Sequence, residues 1–189
     1  MKKGYIYTII FMAVVSIVFT GLLAGVNAAY KKKIAFNQEA VLKSSILLSV
    51  GVESGDDVNA VFAEKAQENK LGDTTYYSIE TDSGTAFAIP FEGPGLWGTI
   101  RGYIGVASDL QSIQGIAFTE QNETPGLGGR IEEDWFKNQF MDLSLETVIT
   151  YSGDSGLDAI TGATSTSNAV LKIINEFIST TLKELEEAR

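Results

Sequence analysis

The sequence predicts an α+β protein: an N-terminal transmembrane helix followed by one domain whose mainly antiparallel sheet is flanked by helices. Three observations carry this. The stretch from Gly4 to Tyr30 holds no charged residue and exceeds the roughly 20 apolar residues that a membrane helix needs, with tilt to spare. Behind it, strand-like runs succeed one another across turn residues instead of alternating with helices. An apolar-periodic segment, Val170 to Leu185, closes the chain.

Taken in order, Lys2 and Lys3 precede the apolar stretch and Lys31, Lys32 and Lys33 follow it. Basic residues at both ends give the positive-inside rule nothing to discriminate. Val26-Asn27-Ala28 would pass as a cleavage site, but the apolar run is too long for a signal peptide, so residues 1–33 are expected to stay as an anchor. Residues 34–70 read as a helical stalk and the start of the domain. Ala40, Val41, Leu42, Ile46, Leu47 and Leu48 suit a helix leaving the bilayer, Ser54 to Asp57 a turn and cap, and Val58, Val61, Phe62 and Ala66 a second helix running through Asn69.

Residues 71–189 then form the domain. Thr75 to Ile79 and Ala86 to Ile89 flank Asp82-Ser83-Gly84, the pattern of a hairpin with a Gly-containing loop. The meander continues with strands over Leu96 to Val106 and Ile113 to Phe118, separated by a turn at Ala107 to Gln111. Trp135, Phe136 and Phe140 suit a short helix from Glu132 to Met141, and Glu146 to Tyr151 reads as a further strand before the terminal helix.

Composition removes much of the catalytic vocabulary. The 189 residues include no His and no Cys, which excludes a Ser-His-Asp triad, a thiol nucleophile, an iron–sulfur cluster and a His-ligated haem. Redox chemistry would need a borrowed cofactor. Five of the 14 basic residues lie at or before Lys33 and all 24 acidic ones after it, leaving nine positive against 24 negative charges. That balance disfavours nucleic acid and suits either plain solubility or a basic partner. Glu120, Glu123, Glu132, Glu133, Asp134 and Asp158 are candidates for a carboxylate pair, although a solvated face is the simpler reading.

Two segments carry chemistry. Asp158 to Ala169 (DAITGATSTSNA) packs small residues and hydroxyls directly ahead of the terminal helix. The first N–H groups of a helix lack intrahelical partners and carry the positive end of its dipole, so a phosphate is stabilised there. Gly162 and Ala163 allow close backbone approach, while Ser165, Thr166, Ser167 and Asn168 equally suit an ordinary capped helix. The second segment, Glu123 to Gly129 (ETPGLGG), lacks the third glycine of a dinucleotide fingerprint. Its Pro125-Gly126 pair suits the centre of a type II turn.

Both strings also resemble one family. Thr161-Gly162-Ala163-Thr164-Ser165-Thr166 is similar to the Ser/Thr-Gly-Ala-Thr-x-Thr signature of the covalent-FMN domains in the Rnf and Nqr respiratory complexes. Glu123-Thr124-Pro125-Gly126-Leu127-Gly128 resembles their Glu-Thr-Pro-Gly-Leu-Gly segment, and Gly95-Leu96-Trp97 and Asp134-Trp135 extend the likeness. The resemblance implies one FMN per chain, joined by a phosphoester to Thr166, with Ser165 and Ser167 as alternative acceptors. It implies that Thr161, Gly162, Ala163, Thr164 and Ser165 surround the phosphate, and that Glu123, Thr124, Leu127, Gly128 and Trp97 lie against the isoalloxazine. Arg130 could offset flavin charge or pair with Glu132, Glu133 or Asp134.

As implied partners, it brings the other components of a membrane complex and a flavin transferase that installs the FMN from FAD. It places the flavin domain on the extracytoplasmic side of the inner, or cytoplasmic, membrane. The compact length favours a chain like the G subunit of the Rnf complex, relaying electrons within an ion-translocating ferredoxin:NAD oxidoreductase. The doubled Gly128-Gly129 and Gly95-Leu96-Trp97 lean toward the C subunit of the sodium-translocating NADH:quinone oxidoreductase, Nqr. A free-standing flavinylated extracellular redox protein and a non-redox anchored binding module are the remaining alternatives.

Overall fold

The computed structural model describes residues 2–55, 57–151 and 156–187, which divide into two compact units, 1–39 and 40–189. The first unit is helical. It belongs to α1 (Lys2–Ser49), the helix that is long and apolar enough to cross a membrane by length and composition. Its apolar side chains, Ile9, Phe11, Ile17, Phe19 and Leu23 among them, are exposed, as lipid-facing residues must be when no protein covers them.

The second unit holds the last turns of α1, then α2 (Val58–Lys65) and a five-stranded sheet. Asp57 caps α2, its side chain accepting from the Ala60 N–H at 3.1 Å; Asp56 of the expected turn lies outside the described residues. The strands are β1 (Ala66–Leu71), β2 (Thr74–Thr81), β3 (Gly84–Pro94), β4 (Thr99–Ala107) and β5 (Ile113–Glu120). They pair antiparallel in chain order, β1-β2-β3-β4-β5. Such a meander needs only tight turns, and Asp82-Ser83-Gly84 supplies one, with Gly84 at φ +119°.

Alternation along the strands sends side chains to two cores. Phe87, Ile89 and Phe91 of β3 and Ile100, Ile104 and Val106 of β4 join Phe136, Phe140, Val170, Ile174 and Phe177 in the larger one. Ala86 and Ala88 face the opposite way, with Ile79, Ile46, Leu47 and Val50. Small residues there let α1 end directly on the sheet. A Cβ on Gly105 would stand 1.9 Å from the Ser49 carbonyl oxygen, and one on Gly115 2.8 Å from it.

After β5 the chain runs through a 3-10 turn (Gly128–Glu132), α3 (Asp134–Lys137) and a second 3-10 turn (Asn138–Phe140). The amphipathic α4 (Thr164–Phe177) lies across the larger core, with Val170, Leu171, Ile173, Ile174 and Phe177 buried. A π-turn (Ile178–Leu182) links it to α5 (Lys183–Glu187).

Four local expectations are corrected. The helix expected to reach Asn69 stops at Lys65, and Ala66 to Leu71 form β1, a polar edge strand held by its ladder to β2 rather than by burial. The strand expected from Leu96 begins at Thr99, because Gly95 to Gly98 make the hairpin turn, closed by the Gly95 N–H donating to the Gly98 carbonyl at 2.7 Å. Glu146 to Tyr151 is not a strand. The Asn175 side chain occupies the backbone N–H and carbonyl of Ile149, at 2.9 and 2.8 Å, and leaves no ladder to form. The single helix expected over Glu132 to Met141 is α3 between two 3-10 turns.

Candidate functional site

The two motif segments meet at the N-terminus of α4. Ile160 to Ala163 make a turn, with Gly162 at φ +81° and the Ala163 N–H donating to the Ile160 carbonyl at 2.9 Å. Only then does the helix begin, so the hydroxyl residues occupy its first turn rather than its cap. Ala163 stands at the cap position and offers no side-chain hydrogen bond. The ordinary capped helix allowed by composition is therefore not what forms.

Each hydroxyl has a different fate. Ser167 is fully buried and structural: its Oγ accepts from the Ile160 N–H at 3.0 Å and donates to the Ala163 carbonyl at 3.1 Å. Tyr151 adds a bond from its hydroxyl to the Ser167 carbonyl, and burial raises the Tyr151 pKa. Thr161, Thr164 and Ser165 are exposed. Thr166 is 1% exposed, and its Oγ1 donates to Oε2 of Glu123 at 2.5 Å.

Glu123 is itself only 4% exposed, a position that carboxylates rarely occupy without full hydrogen bonding. Its other oxygen, Oε1, accepts from the backbone N–H groups of Leu96 and Trp97 at 2.8 and 3.0 Å. Its own N–H donates to Oε1 of Gln121 at 2.7 Å. The carboxylate thus ties the β3–β4 turn to the first turn of α4, and both of its oxygens are engaged.

Glycines make room for it. A Cβ on Gly128 would lie 2.6 Å from Thr166 Oγ1 and 2.8 Å from Glu123 Oε2, and one on Gly95 would lie 2.6 Å from Glu123 Oε1. Thr124 to Leu127 form the expected turn: the Leu127 N–H donates to the Thr124 carbonyl at 3.1 Å, and Gly126 takes φ +75°. This carries Leu127 over Gly162, whose added Cβ would sit 3.3 Å from Leu127 Cδ2. Trp97, Leu96 and Leu127 are exposed by 68, 56 and 45%, three apolar side chains from the loops around one buried hydroxyl.

Trp97, expected in a strand, is in the turn, which is why its ring is free and its N–H is spent on Glu123. Tyr103, in β4, is half-buried against Tyr77. Arg130 takes the local option, pairing with Glu133 at 3.1 Å and lying over the Trp135 ring. Trp135 Nε1 also donates to Glu133, and that hydrogen bond, with Arg130, lowers the Glu133 pKa. Gln121 was not anticipated as part of the site, and nothing in its sequence neighbourhood singles it out; Gly95 stands in the Gly95-Leu96-Trp97 string but carried no expected role of its own.

A family model described as "FMN-binding domain" matches residues 95–179, from the β3–β4 turn to the π-turn. The matched segment is similar to that family. Among the relatives of this chain is the C subunit of the Na(+)-translocating NADH-quinone reductase of Pasteurella multocida. It is 37% identical over 107 residues, which cover 50% of this chain and 41% of that protein. The protein of the same name from Chlamydia pneumoniae is 38% identical over 130 residues, covering 54% of this chain and 40% of that one. The chain thus spans about two fifths of the length of the curated relatives it matches.

Crystal structures of the corresponding proteins from Shewanella oneidensis (NqrC) and Parabacteroides distasonis share the fold. Their TM-scores are 0.65 and 0.68 at 19 and 24% identity; they cover 81 and 82% of this chain, and the chain covers 99 and 96% of theirs. These relatives put the Nqr reading ahead of the Rnf reading that compact length favoured.

Proposed function

We propose that this chain is a membrane-anchored electron-transfer subunit of the sodium-translocating NADH:quinone oxidoreductase type, carrying one FMN joined through its phosphate to Thr166. In this reading residues 1–33 anchor the chain, 34–70 lead into the domain and 71–189 carry the flavin. The domain faces the extracytoplasmic side, and a flavin transferase installs the FMN from FAD. FMN supplies the redox chemistry when bound, accepting and passing electrons.

The observation that carries the reading is the buried hydrogen bond from Thr166 to Glu123 at the meeting point of both family motifs. The first turn of α4 offers its N–H groups and its dipole to a phosphate. Of the neighbouring hydroxyls, Ser167 is committed to holding the turn and Ser165 is exposed, whereas the buried carboxylate accepts from Thr166. Leu96, Trp97 and Leu127 present apolar surface suited to one face of a flat ring. The fit is to a closed site: with Thr166 1% exposed, a phosphoryl group at Oγ1 requires Gly128 and the Glu123 carboxylate to draw back. Gly128 has only backbone to move.

The test is the intact mass of the chain purified from its native membrane under denaturing conditions, followed by fragment mapping of the peptide spanning Asp158 to Lys172. A gain of one FMN less water on Thr166 is expected. Unmodified protein in a host that contains the transferase, or the flavin on Ser165, would refute the assignment.

A further inference from the structure

The hydrogen bond between Thr166 and Glu123 has a chemical direction. The threonine hydroxyl is the donor, and the acceptor is a carboxylate oxygen 43 positions earlier in the chain, at 2.5 Å. A hydroxyl is a weak nucleophile until a base takes its proton, and a base must lie within hydrogen-bond reach of that proton. Glu123 Oε2 meets the condition before any other protein arrives. Its orientation is fixed independently of Thr166, since Oε1 is held by two backbone N–H groups and the Glu123 backbone by Gln121.

The chain has no cysteine or histidine to do this work, and the other acidic side chains of the two motif regions are engaged elsewhere or exposed. Glu133 pairs with Arg130 and Trp135, Glu132 accepts from Gln121, and Asp158 is exposed. Glu123 is the carboxylate buried at the acceptor hydroxyl.

We propose that Glu123 is the general base of flavin attachment, so that the acceptor chain carries part of the catalytic machinery for its own modification; this rests on Thr166 being the attachment site. In the step, Thr166 Oγ1 bonds to the flavin-side phosphorus of FAD while the bridging P–O bond to the adenylate half breaks. AMP leaves with the bonding electron pair. The hydroxyl proton passes to Glu123 Oε2 and from there to solvent; nothing is oxidised or reduced. Gly128, which places no side chain over Oγ1, leaves the phosphorus an approach once its segment withdraws. That segment is held at its start by the Leu127 and Gly129 N–H groups on the Thr124 carbonyl.

The experiment compares the full chain in detergent with its Glu123→Gln and Glu123→Asp variants as substrates of a purified flavin transferase supplied with FAD. Attachment is followed by intact mass, and folding by circular dichroism. Glutamine keeps an oxygen for the Leu96 and Trp97 N–H groups but cannot take a proton. The expected result is a fall in kcat of about 100-fold or more, the usual scale for a general base, with KM changed less than about threefold and a partial recovery in Glu123→Asp.

A Glu123→Gln chain modified at the wild-type rate would overturn the proposal, as would a loss confined to KM. Should the glutamine variant fail to fold, Glu123→Asp decides: slower attachment supports the base role and a wild-type rate refutes it. Absence of flavin on Thr166 in the wild-type chain would instead defeat the attachment reading itself, so the two failures are distinguishable.

Discussion

The paired glycines Gly128 and Gly129 offer a sharp test of the site's geometry, because adjacent and chemically identical positions should respond differently. A Cβ at Gly128 falls 2.6 Å from Thr166 Oγ1, 2.8 Å from Glu123 Oε2 and 2.9 Å from Glu123 Cβ, whereas at Gly129 its nearest neighbour is the Thr124 carbonyl oxygen at 3.4 Å. Neither glycine has positive φ, so backbone strain does not separate them. Gly128→Ala must push Thr166 and Glu123 apart. A hydrogen bond to a charged group contributes about 1.5–3 kcal/mol, and losing it from the attacking geometry corresponds to roughly a 10- to 150-fold slower reaction. Gly129→Ala should change the rate less than about twofold, since ordinary van der Waals contact costs little. The assay exposes both full-length variants to a flavin transferase and FAD and reads attachment by intact mass, alongside a thermal melt. Equal rates for the two variants, or wild-type attachment in Gly128→Ala, would rule out the close approach of Gly128 to the acceptor hydroxyl as a determinant of the reaction.

Further perturbations probe the attachment residue, the ring platform, the packing of α1 and the titration of a buried phenol. Thr166→Ala should abolish attachment and, by leaving buried Glu123 Oε2 without its donor, cost about 1–3 kcal/mol; mass spectrometry and a melt check both, and retained covalent flavin would move the site. Trp97→Ala, at a side chain 68% exposed, should leave stability within about 0.5 kcal/mol while altering the absorption and fluorescence of the loaded protein; an unchanged spectrum would remove Trp97 from the ring contacts. Gly105→Ala drives a Cβ to 1.9 Å from the Ser49 carbonyl, a backbone atom that cannot rotate away. Overpacking of this kind costs about 1–3 kcal/mol, or a fall in Tm of roughly 2–12 °C for a domain of this size, and an unshifted melt would count against the packing described. Burial, and secondarily Tyr77, pushes the Tyr103 pKa up to about 12. Because the folded state holds that proton more tightly than the unfolded one, stability is fully present below about pH 10 and is lost as pH rises toward 12. Tyr103→Phe should therefore flatten the decline of Tm over this window, and an unaltered slope would refute the shift.

How much was legible in the sequence depended on whether the signal was local. Asp82-Ser83-Gly84 and the turn after Ala107 announced the meander because turn chemistry is written in adjacent residues. Ala66 to Leu71 gave no such sign: a polar edge strand takes its conformation from the ladder of β2, a partner that its own composition does not reveal. Ile149 misled in the opposite sense, an apolar residue buried in the larger core from a strandless segment whose backbone the Asn175 side chain satisfies. Leu96 and Trp97 looked like strand residues, yet their N–H groups are claimed by Glu123. At the site, Pro125-Gly126 announced its own turn, and the family resemblance singled out Thr166. It expected Glu123 beside the flavin ring, and gave no hint that this side chain reaches the threonine hydroxyl.

The separation of those two residues has a bearing on quality control. Glu123 follows the last strand of the sheet and Thr166 opens the helix that packs across it, 43 positions on. A nascent fragment that ends before α4 holds only one of the two. If attachment needs both, a flavin can be accepted only by a domain whose sheet and closing helix are already assembled, and the yellow colour of the mature protein would certify its folding.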